Sequence, residues 1–140
     1  MEQPFTLDVK IIDSNSQGDA EMVKFSRINI ENEGLTKFFS PNEVRILQLL
    51  WEKGSMTSGD IRECTEGLSL ACIAGTLDRL VKSGVVKREL LDTETKVKYL
   101  YKPAQTREEI GSQISERIIE SLIDTFGDTV TDTLGKYKKE

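Results

Sequence analysis

The chain has 140 residues, of which 37% are hydrophobic, and a formal net charge of −5 from 19 Lys and Arg against 24 Asp and Glu. That length suits one domain with an appendage, no apolar run nears the ~20 residues of a membrane span, and the opening M-E-Q-P-F-T lacks the basic and apolar pattern of a secretory leader, so a cytoplasmic chain is expected. With no histidine, and with Cys64 and Cys72 forming no CxxC pair, the sequence predicts two reduced thiols, no metal site, no cofactor and no enzyme.

Residues 5–12, F-T-L-D-V-K-I-I, alternate apolar and polar at the period of a half-buried strand. The turn-forming D-S-N-S-Q-G-D follows, and Val23, Phe25, Ile28 and Ile30 then mark a second alternation over 22–30. Together they predict an N-terminal β-hairpin, which is marginal in water unless it packs on something. It is expected to cover the main domain or pair with a second subunit; a small-molecule or partner site is the alternative.

Ser40-Pro41-Asn42-Glu43 predicts a helix start: Ser40 caps, Pro41 takes the first helical position and Glu43 completes a capping box. Val44, Leu47, Leu50 and Trp51 form its apolar face before Lys53-Gly54 ends it. Thr57 and Asp60 repeat the box pattern and open a second helix from Ser58 to about Glu66, with Ile61 and either Cys64 or Thr65 inward. Gly67-Leu68 then links to a third helix capped by Ser69. Ile73, Leu77, Leu80 and Val81 stripe one side of it, and Leu70, Ala71, Ala74, Asp78, Arg79 and Lys82 lie on the other; Gly84 closes it. Val85–Leu91 and Val97–Lys102 read as a two-stranded hairpin.

After Pro103, Thr106 and Glu109 open a long helix to Phe126. Ile110, Ile114, Ile118, Ile119, Leu122, Ile123 and Phe126 give it a broad apolar face; Gly127 breaks it, and Val130 and Leu134 continue a shorter helix. This two-helix tail carries more apolar surface than a small domain can cover, which predicts a homodimer.

Two helices joined by a tight glycine turn, followed by a hairpin, describe a winged helix-turn-helix. The expected fold class is α+β, mainly helical, with a β-hairpin extension over 1–34, a winged-helix DNA-binding domain over 35–103 and dimerisation helices over 104–140. The third helix, 69–83, is then expected in the major groove of double-stranded DNA. Ser69, Thr76 and Arg79 are predicted at base edges, Leu70 and Ala71 at thymine methyls, and Lys82, Lys87 and Arg88 on phosphates. Thr57, Ser58 and Arg62 are placed to reach the backbone from the second helix. The charge is awkward for this role, although residues 41–102 carry ten Lys and Arg against nine Asp and Glu and are the least acidic part. A winged-helix protein-interaction module without sequence-specific DNA binding is the alternative.

Several stretches fall in register with a known family: Leu35, S-P-N-E-V-R-I-L-Q-L-L-W-E-K-G from Ser40, T-S-G-D-I-R-E from Thr57, T-L-D-R-L-V-K-S-G-V-V-K-R from Thr76, Y-L-Y-K-P from Tyr99 and T-R-E-E from Thr106. In these the chain resembles the penicillinase-repressor family of β-lactam-resistance repressors, which includes copper-responsive members. The resemblance covers about residues 35–140. It implies a repressor that dimerises through C-terminal helices and binds a pseudo-palindromic operator. Ala71 and Cys72 stand where the family usually has hydroxyl residues. The chain has neither the Asn-Phe bond at which the β-lactam repressors are cut nor the clustered C-terminal cysteines of the copper-responsive ones, so neither switch carries over and the effector is unknown.

Overall fold

A computed structural model describes residues 9–11, 23–25, 27–92 and 97–137. The order is β1 (Val9–Ile11), a 3-10 turn (Gly34–Lys37), α1 (Pro41–Lys53), α2 (Ser58–Cys64), α3 (Leu70–Lys82), β2 (Val86–Asp92), β3 (Val97–Pro103), α4 (Arg107–Phe126) and α5 (Asp128–Gly135). The chain divides into two units, Met1–Thr106 and Arg107–Glu140.

In the first unit the helix starts are set locally. Ser40 Oγ accepts from Glu43 N while Glu43 Oε1 accepts from Ser40 N at 2.8 Å, and Thr57 and Asp60 form the same reciprocal pair at α2. The core is the inner faces of three helices: Ile46, Leu47 and Leu50 of α1, Ile61 of α2, and Ile73, Leu77 and Leu80 of α3 are fully buried. Ile46 takes the place expected of Val44, which is half-buried. Trp51 is also half-buried, because its indole N–H must reach a partner and donates to the Gln105 carbonyl at 2.9 Å. In α2 the inward partner of Ile61 is Thr65, whose hydroxyl donates to the Ile61 carbonyl at 3.0 Å; Cys64 is exposed.

The sheet order is β1-β2-β3, antiparallel throughout, with Val9 opposite Leu91 and Lys87 opposite Lys102. Met56 makes two backbone hydrogen bonds with Tyr101 on the far side of β3, at 2.9 and 2.8 Å. Helix-turn-helix plus β2–β3 wing gives the expected α+β winged helix. The expected N-terminal hairpin is corrected. Val9–Ile11 pairs with β2 of the wing, and residues 23–25 and 27–30 form no strand. Instead, Val23 is fully buried and Lys24 N donates to the Ser83 carbonyl at 2.9 Å. Residues 5–8, 12, 22 and 26 of the predicted strands, and the turn between them, lie outside the described residues.

In the second unit α4 and α5 pack together, hinged at Gly127, whose φ of 64° suits a residue without Cβ. Ile110 and Ile114 are 1% and 4% exposed. Both belong to the expected dimerisation set and are buried within the chain itself. No helix among the described residues is long and apolar enough to cross a membrane.

Burial raises the Tyr101 phenol above its ordinary 10.0, against the lowering pull of its hydrogen bond with Arg88. The folded state therefore holds this proton more tightly than the unfolded chain. The resulting stability is complete below pH 10.0 and lost as pH rises through the higher folded value. Urea unfolding is expected to show stability falling above about pH 10, and Tyr101→Phe to remove that part of the decline.

Candidate nucleic-acid interface

Helix α3 is fixed at both ends by its own sequence. Ser69 Oγ accepts from Cys72 N at 3.1 Å. At the other end Gly84, at φ 86°, lets Gly84 N donate to Val81 O and Val85 N to Leu80 O, so the last carbonyls are satisfied. Between these caps the buried stripe turns the opposite face outward. Ser69, Leu70, Ala71, Ala74, Arg79 and Lys82 are exposed, Leu70 by 45%. The first two turns of that face are uncharged and, apart from Leu70, small, which lets a helix approach a groove floor closely.

Thr76 does not belong to that face, contrary to expectation. It is fully buried, its hydroxyl donates to the Cys72 carbonyl at 2.8 Å, and it accepts from Arg79 Nη2 at 3.2 Å. A hydroxyl satisfied within its own helix can occupy an apolar stripe at small cost. Cys72 is half-buried, with Asn42 Nδ2 3.6 Å from its sulfur.

The cations divide into held and open. Arg79 is 58% exposed, but its Nε lies 3.4 Å from Glu43 Oε2, so it leans along α1. Lys82 Nζ is 3.3 Å from Asp78 and remains well exposed. Arg88, expected on phosphate, is turned into the wing. Its side chain is 20% exposed, its guanidinium stacks 4.9 Å from the Tyr99 ring centroid, and it lies 4.0 Å from Asp78. Its hydrogen bond with the Tyr101 phenol adds to that hold, while its Nε is buried without a partner, a cost of the inward position. Lys87 is exposed on the wing and Arg62 on α2. Thr57 Oγ1 accepts from Asp60 N at 3.1 Å, and Ser58 is half-buried beside it.

Two residues here escaped the sequence. Glu43 matches a capping box, which accounts for one carboxylate oxygen; its hold on Arg79 has no local signal. Arg45, exposed on α1, donates Nη2 to the Glu66 carbonyl at 3.1 Å and ties α1 to the link before α3.

A helix-turn-helix whose second helix is capped, one-sided and followed by a hairpin defines the class of winged-helix DNA-binding proteins. Residues 39–138 match the model of the penicillinase repressor family, and the chain belongs to that family. This is a family of DNA-binding transcriptional regulators, not of enzymes. No curated protein matches the chain.

Ser69→Ala removes the cap that starts α3 and is expected to lower stability by about 0.5–2 kcal/mol in urea unfolding.

Proposed function

We propose that the chain is a dimeric repressor that acts in the cytoplasm and binds a pseudo-palindromic operator through α3. The observation that carries this is the sidedness of α3: Ile73, Leu77 and Leu80 are fully buried while Ser69, Leu70, Ala71, Arg79 and Lys82 face out. Ser69 and Arg79 address base edges, Leu70 and Ala71 a thymine methyl, and Lys82 and Lys87 phosphates, with Thr57, Ser58 and Arg62 at the flanking backbone. Arg79 exchanges Glu43 for DNA when the groove is engaged.

Dimerisation falls to the outer parts of α4 and α5. Ile118 and Ile119 are half-buried, as is Val130. Leu122, Ile123, Phe126 and Leu134 are exposed, Phe126 by 60%. Each large apolar side chain covered by a second copy contributes ~1.5–3 kcal/mol.

The alternative, a protein-interaction module, is favoured by one feature: Arg79 and Arg88 already lie beside acids in a chain of net charge −5. A mobility-shift titration with fragments selected from genomic DNA separates the two. The repressor reading expects saturable, salt-dependent binding, with Arg79→Ala weakening it. In the same assay Lys82→Ala and Lys87→Ala should each reduce the slope of log affinity against log salt by about 1, uniformly across sequences. Unchanged slopes would remove both from the phosphate contacts.

Leu122→Asp with Phe126→Asp is expected to convert a dimer to a monomer in sedimentation analysis. Loss of operator binding should accompany this, because two half-sites need two copies of α3.

A further inference from the structure

Residues 23–25 and 27–38 precede the part of the chain that the family model covers, yet they are fastened to the helix-turn-helix. Val23 is fully buried and Lys24 N bonds Ser83, the C-cap residue of α3. The loop holds its own shape. Asn29 N donates to the Lys37 carbonyl at 2.8 Å, Asn32 Nδ2 to the Thr36 carbonyl at 3.0 Å, and Lys37 Nζ to the Asn32 carbonyl at 2.8 Å. Phe25 and Phe38 meet edge to face, with centroids 6.0 Å apart.

This loop and the first turn of α1 border an open cleft of about 350 Å³. That volume lies within the range of small-ligand sites. Its lining joins Lys24, Arg27 and Lys37 to the rings of Phe25 and Phe38. Among the lining residues Glu43 is the one acid, so three cationic residues and one carboxylate border the cleft in a chain that is acidic overall. Aromatic walls with an excess of positive charge select a planar apolar body with a negative head. The positive end of the α1 dipole lies on the same wall and adds to that preference.

Two parts of the cleft wall lead to α3. Ser83 caps its C-terminus. Glu43 accepts from Ser40 N at 2.8 Å with one oxygen and holds Arg79 Nε at 3.4 Å with the other. A negative charge entering the cleft repels the carboxylate on which Arg79 rests.

We propose that this cleft binds a small aromatic anion, an aromatic carboxylate or phosphate, and that occupancy loosens the Glu43–Arg79 pair. The binding rests on the cleft alone; its meaning as effector control rests on the DNA-facing reading of α3.

Calorimetric titration of the full chain with salicylate, phenyl phosphate and neutral benzamide tests the first half. At least one anion binds at millimolar concentration or tighter, and benzamide binds at least about tenfold more weakly. The double variant Lys24→Gln, Arg27→Gln loses about tenfold in anion affinity while its thermal unfolding stays that of the parent. Whichever anion binds assigns the head group. Heat from neither anion, equal binding of benzamide, or an unchanged double variant overturns the site. The second half is read from the Arg79 Nε–Hε resonance. Saturation with the bound anion shifts it in the parent chain and leaves it in place in Glu43→Gln, which keeps a side chain able to close the helix cap. A stationary signal in the liganded parent, or an equal shift in Glu43→Gln, overturns the coupling. Neither readout uses DNA, so failure of the operator reading and failure of the cleft are told apart.

Discussion

The arrangement depends on three side chains of α3, Ile73, Leu77 and Leu80, set fully against the inner faces of α1 and α2. At ~1.5–3 kcal/mol each, their burial is roughly 5–9 kcal/mol before entropy is counted, comparable with the ~5–15 kcal/mol net stability of a whole domain. No other feature of α3 has that weight. Its caps at Ser69 and Gly84 decide where it begins and ends, but the stripe decides which way it faces. The outward set of Ser69, Leu70, Ala71, Ala74 and Lys82 follows from the inward one, by helical geometry alone.

Much of this was legible because it is local. The reciprocal bonds of Ser40 with Glu43 and Thr57 with Asp60 involve residues three apart, and both form where the sequence places them. The apolar spacing marks α1, α3 and α4 for the same reason. What escaped is non-local or depends on a bond the pattern does not display. Alternation identified Val9–Ile11 as strand but not its partner, which is β2 and not the segment after it. Val23 and Phe25 alternate like a strand, yet Val23 is an anchor in the core and Phe25 meets Phe38. Thr76 looked like a surface residue because it is polar; the Cys72 carbonyl is what lets it lie inside. Glu43 and Arg79 belong to different helices, and only the fold brings them together.

The acidic composition takes a different meaning once the cations are placed. Arg79, Lys82 and Arg88 each lie beside an acid, and Lys102 Nζ is 2.8 Å from Glu89. Such pairs at the surface are weak, so those on Arg79 and Lys82 can open for a stronger anion. Arg88 differs, because its stacking on Tyr99 and its hydrogen bond with Tyr101 hold it in the wing. Family membership and an overall negative charge are thus compatible, because Arg79 and Lys82 stay exposed and their pairs can open.

The wing contains a tension that its geometry resolves. Lys87 and Lys102 stand directly opposite each other in the β2–β3 register, an arrangement that like charges disfavour. Lys102 reaches diagonally to Glu89, which is almost wholly buried. A hairpin built this way keeps two ammonium groups on neighbouring strands only while a carboxylate sits beside them. Position 89 is therefore bound to position 102 under mutation, and neither can change its charge alone without leaving the other stranded or setting two lysines against each other.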